Sequence, residues 1–276
     1  MMTLKIAVVN TKGGVGKSTA IMMLGLAFAL QYNKKVLLID TDIQADLSLR
    51  LLGNSLAKYS VVSDENYGMG KLASLFTIPP KPVNIIDNVD LIPMEYDSFM
   101  HVDQHAVMKR LASLPDNYDI ILIDTPPSFD SVSAEELLRN IDAFFMLAVL
   151  SESMLTRLQA HLTIAIPAII KKIRNNPYLI GIIKNSMMTT DSEYLESILS
   201  SLNTVCESIN VPHYTPCVFE NSFANKQRLL NYMNSFLFAI RTKNYSSISE
   251  KLTHTRAKLV AGEMLKRLEK ITVEED

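Results

Sequence analysis

The segment Lys12-Gly13-Gly14-Val15-Gly16-Lys17-Ser18-Thr19 constrains the fold of this chain more than any other. A short apolar run at residues 4–9 precedes it. A stretch rich in Ala, Met and Leu, residues 18–32, follows with the composition of a helix. Strand, glycine-rich turn and helix in that order form a cradle for a phosphate chain. The glycines let backbone N–H groups turn inward around an anion, and the helix N-terminus adds partial positive charge. Lys17 can reach β- and γ-phosphates, and the Ser18 hydroxyl can ligate Mg²⁺.

The rest of the chain repeats this alternation. Apolar runs at 35–40, 118–124, 141–150, 178–185 and 215–219 read as strands. Helical stretches are expected at 97–114, 133–140, 152–174, 192–210 and 222–234, with Pro167 kinking the third. Residues 246–272 are expected to close the chain as one helix. The segment 53–97 is the least regular; it suggests a short helix near 71–76 and a short strand near 89–92. Strands apolar on both faces, alternating with helices, imply an α/β fold: a doubly wound, mainly parallel sheet with helices on both faces. No linker, repeat or composition shift divides the 276 residues, so one domain over 1–276 is expected. The first strand starts near residue 1, so no N-terminal DNA-reading domain is expected. Twenty-seven Lys+Arg against 29 Asp+Glu give a net charge of −2 and exclude a globally basic nucleic-acid binder, though not a local basic patch. Cys206 and Cys217 are too few for a disulfide framework or a four-thiolate metal site, so a cytoplasmic setting is expected.

Lys12 is a second lysine, beside the first glycine of the loop. KGGVGKST with that extra lysine resembles the deviant Walker A motif of the ParA/MinD family of P-loop ATPases. The resemblance implies ATP and Mg²⁺ as ligands and a homodimer with ATP sandwiched between its subunits. In such a dimer Lys12 reaches phosphates in the partner subunit, and Gly13, Gly14, Val15, Gly16, Lys17, Ser18 and Thr19 hold the nucleotide of their own.

Two apolar runs end in acids. Asp124 closes IILID before Thr125-Pro126-Pro127-Ser128 and looks like a Walker B aspartate that holds Mg²⁺. LLIDTDIQADL resembles the family's Asp-x-Asp-Pro-Gln segment, with Ile43 where the family has proline. The resemblance assigns Asp42 to orienting the attacking water and Asp40 to the surroundings of the metal. Asp46 is expected as a helix N-cap. Phosphoryl transfer asks little covalent work of such groups; positioning and charge neutralisation carry it.

Further along the similarity thins. LIGIIKNSM resembles the strand that ends in an adenine-contacting residue, here Asn185. Cys217-Val218-Phe219-Glu220-Asn221 stands where the family often has Ile-Pro-Arg-Asn, so Asn221 is a second candidate for a base contact. His101 and His105 are four apart but lack an HExxH context, and are expected as surface residues. Ile248, Leu252, Leu259, Leu265 and Leu268 form a candidate apolar stripe with Lys and Arg outside it. No aromatic follows Tyr245 and the chain ends Val-Glu-Glu-Asp, which disfavours a membrane-surface helix. Lys258, Lys266 and Arg267 are therefore candidate contacts to non-specific DNA, with Lys171, Lys172 and Arg174 as the alternative patch. A ParA/Soj-type protein of this kind would sit on the nucleoid, answer to a ParB-like activator and partition a plasmid or chromosome. A MinD-like membrane ATPase or a cargo-positioning relative is the alternative.

Overall fold

The structure is a computed structural model. It describes residues 3–10, 13–59, 68–69, 80–94, 103–127, 131–149, 152–173, 177–185, 192–209, 216–223 and 226–273. The apolar runs become seven strands: β1 (Leu4–Val8), β2 (Val36–Asp40), β3 (Val83–Ile86), β4 (Val89–Ile92), β5 (Ile120–Asp124), β6 (Ala143–Ala148) and β7 (Tyr178–Lys184). They form one sheet in the order β3-β4-β2-β5-β1-β6-β7. All neighbours are parallel except β3 and β4, which form an antiparallel hairpin turned through Asp87 and Asn88. The hairpin makes 83–86 a strand that the sequence pattern did not announce.

The helices are α1 (Lys17–Tyr32), α2 (Asp46–Leu52), α3 (Gln104–Lys109), α4 (Ser131–Arg139), α5 (Glu152–Ala160), α6 (Ile166–Ile170), α7 (Ser192–Glu207), α8 (Lys226–Arg241), α9 (Tyr245–Thr255) and α10 (Ala257–Val273). Successive strand residues point to opposite faces. Ile6 and Val8 of β1, with Val36 and Leu38 of β2, join the core under α1, α9 and α10. Ala7 and Val9, with Leu37 and Ile39, join the core under α3, α4, α6 and α7. Two cores on one sheet explain why β2, β5 and β6 are buried at every residue and why they read as unbroken apolar runs. Among the described residues no helix is long and apolar enough to cross a membrane.

Four expectations change. Residues 246–272 form two helices, not one. The chain breaks at Arg256, whose φ is +58°. Thr255 drives the break: its hydroxyl donates to Leu252 O at 2.7 Å and accepts from Ala257 N at 3.2 Å, competing with the helix ladder. The break resets the apolar face. Ile248 and Leu252 stay buried, but α10 docks through Val260, Ala261, Met264 and Leu268, while Leu259 is 53% exposed. Residues 215–219 give no strand: one parallel bridge, Ile182 to Val218, stands in its place, and Thr215 lies outside the described residues. The helix expected at 97–114 covers only α3 and a 3₁₀ turn at Arg110–Ser113, with 97–102 outside the described residues. Finally, the helix around Pro167 does not simply kink. A π-turn at His161–Ala165 joins α5 to α6, placing Pro167, which has no N–H to give, in the first turn of α6. The short helix expected at 71–76 lies outside the described residues.

Strand β7 bulges where α10 packs against it. Phe144 pairs with Leu179 but Phe145 pairs with Gly181, so Ile180 is an extra residue. Its carbonyl accepts from Arg267 Nη1 of α10 at 2.9 Å. Gly181 has φ +148°, and a Cβ there would sit 2.5 Å from Arg267 Nη1 and 2.8 Å from Cys217 O. Gly181→Ala therefore combines backbone strain with overpacking and is expected to destabilise the fold by about 3 kcal/mol. A thermal unfolding midpoint equal to the parent's would rule out this account of the bulge.

Candidate functional site: a nucleotide cleft at the strand ends

The C-terminal ends of β1, β2 and β5 open onto one cleft of about 440 Å³, within the ~300–1,000 Å³ range usual for small-molecule sites. Gly13, Gly14, Val15, Gly16, Lys17, Ser18 and Thr19 line one side. Asp42, Asp46 and Arg50 line another, and Pro127, Asn185 and Met233 lie on the rest of its wall. The loop leaves β1 and enters α1 through two left-handed glycines, Gly14 at φ +75° and Gly16 at φ +92°. Gly16 is the N-cap of α1, a conformation that costs a residue with a side chain about 1 kcal/mol or more. The backbone N–H groups of the first turn of α1 thus lie beside the cleft. Lys12 lies outside the described residues.

Lys17 is 7% exposed. Burial pulls its pKa down, and the negative charges of Asp124, Asp42 and Asp46 push the other way without cancelling the effect. A cation held in this state is short of counter-charge, which a phosphate chain supplies.

Asp40 and Asp124 end adjacent strands in register, and both are fully buried. Burial, with the neighbouring Asp40 charge added, pushes Asp124 well above the ordinary carboxylate range; the Ser18 hydroxyl and Lys17 pull it down less. Neither Asp124 oxygen has a hydrogen bond of good geometry, although the Ser18 hydroxyl lies near enough to favour its charged form. Buried polar atoms in native proteins nearly always have partners. Two orphaned carboxylate oxygens beside a serine hydroxyl fit a divalent cation, and Mg²⁺ takes few protein ligands when phosphates and waters supply the rest. The backbone fixes Asp124 from both sides. Its carbonyl accepts from Thr41 N at 3.0 Å and Thr41 Oγ1 at 2.7 Å. The next residue, Thr125, donates its hydroxyl to Val8 O at 2.6 Å.

Asp40 is differently engaged. Its Oδ1 accepts from Asp42 N at 3.1 Å, and its Oδ2 accepts from Ser48 N at 2.9 Å and Ser48 Oγ at 2.6 Å. Burial lifts its pKa to about 7 despite these bonds. With both oxygens used on the chain, Asp40 organises the loop rather than facing the cleft. Asp42 does face it. Its Oδ1 accepts from Gln44 N at 2.9 Å, and burial raises its pKa against the opposing pull of that bond and of Lys17. The N-cap of α2 is Ala45, at φ +51°, and not Asp46, which stands in the first helical turn.

Asn185 lies at the end of β7, 8% exposed. Its amide donates to Val15 O at 2.6 Å, so it braces the phosphate loop from behind, and a Cβ on Gly16 would come within 2.5 Å of its Nδ2. Asn221 is not on the cleft wall. Its backbone N–H and its side-chain amide both donate to Glu263 Oε2 at 2.9 Å. Glu263 also accepts from Glu220 N at 2.9 Å and Arg267 Nη2 at 2.6 Å. Burial works to raise the pKa of Glu263, but these four donors bring it below its ordinary value. Arg267 is turned inward as well: Nη1 meets Cys217 Sγ at 2.7 Å, Nη2 donates to Val218 O at 3.3 Å, and the guanidinium stacks 4.0 Å from the Phe219 ring. This corrects its expected place on the outer face of α10. Lys258 and Lys266 are on that face, exposed, as are Lys171 and Lys172 on the other side of the molecule; Arg174 lies outside the described residues. His105 is half-buried, not a surface residue, and His101 lies outside the described residues.

Several site residues carried no signal in the sequence. Asn10 precedes the loop and uses its side-chain amide in place of backbone: Nδ2 donates to Leu147 O at 2.8 Å and Oδ1 accepts from Leu147 N at 2.9 Å. Arg50 lines the cleft, with a buried Nε that has no partner. Ser48 bridges Asp40 and Met94 N. Only a polar residue at an otherwise apolar position hinted at any of them.

Comparison with known proteins agrees with this geometry. A family model described as AAA domain matches residues 3–176. The chain is 34% identical over 146 residues to the chromosome-partitioning ATPase Soj of Treponema pallidum, covering 50% of this chain and 54% of that protein. It spans about half the length of the curated relatives it matches. Among solved structures it superposes on pNOB8 ParA with a TM-score of 0.70 at 19% identity, covering 97% of this chain and 99% of that one. The same protein bound to non-specific DNA gives a TM-score of 0.69 at 20% identity, with the same coverage. At such identity the superposition shows the fold. A family match over more than half of the residues, on a sheet and phosphate loop of this form, places the chain in the AAA domain family, with its sequence and fold similar to those of ParA/Soj-type P-loop proteins.

Proposed function

We propose that this chain is a partition ATPase. It binds Mg-ATP in the cleft, pairs face to face with a second copy, and in that state binds DNA without regard to sequence. Hydrolysis, triggered by a ParB-like activator, releases it and moves a plasmid or chromosome over the nucleoid. The observation that carries this is the charge arrangement at the strand ends. A desolvated Lys17 short of anion faces an Asp124 short of cation. Mg-ATP satisfies both at once.

In this mechanism the loop amides and Lys17 neutralise charge that gathers on the β- and γ-phosphates. Ser18 and Asp124 would hold the Mg²⁺, which supplies Lewis-acid neutralisation when bound. Asp42, held by Gln44 N, orients a water toward the γ-phosphate. Lys12 contributes from one subunit to the nucleotide of the other. Asn185 bears on the nucleotide through the loop it braces, and Asn221, tied to Glu263, is a base contact only if that tie opens.

The DNA face is assigned to Lys258 and Lys266 on α10, without Arg267. The fold shared with a ParA that was solved on non-specific DNA supports DNA as the partner, and the exposure of the two lysines supports their choice. Phosphate contacts release counterions, so binding should fall steeply with salt. Lys258→Glu with Lys266→Glu is expected to weaken Mg-ATP-dependent binding to random duplex DNA about tenfold or more, read by fluorescence anisotropy at fixed salt. An unchanged affinity moves the face to Lys171 and Lys172. No DNA binding by the parent chain in Mg-ATP at low salt removes the DNA part of the proposal.

A further inference from the structure

Helix α2 lacks a cap of its own. Its N-cap residue, Ala45, has no side-chain acceptor, and the turn enters the helix through a left-handed alanine that glycine would adopt more readily. An uncapped first turn leaves N–H donors without partners. The missing acceptor comes from another element. Asp40, at the end of β2, takes the backbone N–H of Ser48, the third residue of α2, just where a capping side chain would bind it. The Ser48 hydroxyl adds a second bond to the same oxygen at 2.6 Å.

That hydroxyl also accepts from Met94 N at 3.0 Å, just beyond β4. Ser48 is fully buried, so water cannot replace either partner. The other Asp40 oxygen holds Asp42 N at 3.1 Å. One carboxylate thus pins the segment 42–48 at both ends, and Asp42 lies between the strand and the pin. Its carboxylate is aimed by a turn that has few other fixings: Gln44 N to Oδ1, and Ala45 N to Asp42 O at 2.8 Å.

We infer that Ser48 is a positioning residue for ATP hydrolysis: by clamping α2 onto Asp40 and Met94 it fixes where the Asp42 carboxylate stands in the cleft. The inference rests on the proposed ATPase activity. Ser48 is absent from the cleft wall and spends its hydroxyl on Asp40 and Met94, whereas Asp42, Asp46 and Arg50 of the same segment are on that wall. Small misplacements of a group that orients a reactant cost large factors in rate. Loosening the clamp should therefore slow the chemical step and spare ATP binding, which depends on Lys17 and the loop amides rather than on α2.

Steady-state ATPase kinetics on the full chain, with Asp42→Ala measured alongside, test this. Ser48→Ala should lower kcat about tenfold or more while KM for ATP stays within about threefold. Ser48→Thr, which keeps the hydroxyl, should restore kcat. Because Ser48 acts through Asp42, Ser48→Ala should cost nothing further in an Asp42→Ala background, so the two losses are not additive. A merely structural serine would give additive losses, or a loss that Thr does not rescue, and either result overturns the inference. So does a parent-like kcat in Ser48→Ala. Should that variant fail to fold, Ser48→Cys, with a weakly donating thiol of similar shape, should show the same kcat loss, and a parent-like rate there counts equally against it. A parent chain that binds Mg-ATP but does not turn it over would overturn the proposed activity along with this inference; a parent that turns over beside an indifferent Ser48 overturns the inference alone.

Discussion

Lys17→Ala is expected to weaken ATP binding on the order of 100-fold or more, measured by calorimetry with Mg-ATP. Removing a desolvated charge that pairs with a bound ion costs several kcal/mol in typical complexes, and about 1.4 kcal/mol is tenfold in affinity. Here the cost falls at the large end, because Lys17 is the one described cation at the base of the loop and is almost wholly buried. The substitution also strips Asp124 and Asp42 of the charge that lowers their pKa values. Asp124 then resists ionisation more strongly, which takes away the negative charge that a divalent cation would need. Two ligands are lost through one side chain. Parent-like affinity in the variant would mean that the nucleotide is not held by this loop.

Asp42→Ala should leave ATP binding near the parent's and lower turnover about 100-fold. The residue lies on the cleft wall but, as an anion, gives no attractive contact to phosphates, so its loss removes none. What goes is a carboxylate whose pKa burial has raised, which makes it a better acceptor for a water's proton near neutral pH. Single-turnover hydrolysis on pre-bound ATP separates this from any effect on binding or product release. A parent-like single-turnover rate would pass the water-orienting role to another group of the cleft wall, where Asp46 is the other carboxylate.

The sheet and the loop were legible because their signals are local. Burial on two faces writes itself as unbroken apolar runs, as in VLLID and IILID, and a phosphate loop needs its glycines and lysine consecutively. Asp124 was legible for the same reason, as an acid at the end of such a run. The antiparallel hairpin at 83–92 was half hidden because its outer strand, VNII, is short and interrupted by Asn84, which bonds to Asp90 across the hairpin instead of packing. The break at Arg256 was invisible because the sequence Thr-Arg-Ala contains no glycine or proline; one threonine hydroxyl makes it. Arg267 was misplaced because charge composition says nothing of direction. A glycine in a neighbouring strand opens room beneath it, and a glutamate one helical turn away draws it inward. Ser48 and Asn10 depend on partners 46 and 137 residues away, contacts that no short window along the chain can contain.

The side chain of Asn10 has a consequence for the supply of amides. A backbone N–H can serve a sheet or an anion, not both. At residue 10 the ladder with β6 continues, but a carboxamide extends it, so the main chain departs one position before the sheet's pairing ends. The carboxamide thereby meets both polar groups of Leu147, and β1 keeps lateral support from β6 up to its last residue. Rigidity behind the loop and unspent donors within it are usually opposing demands on the same atoms. Here one asparagine side chain takes the sheet's part of that demand, bonding both polar groups of Leu147 at the root of the cradle.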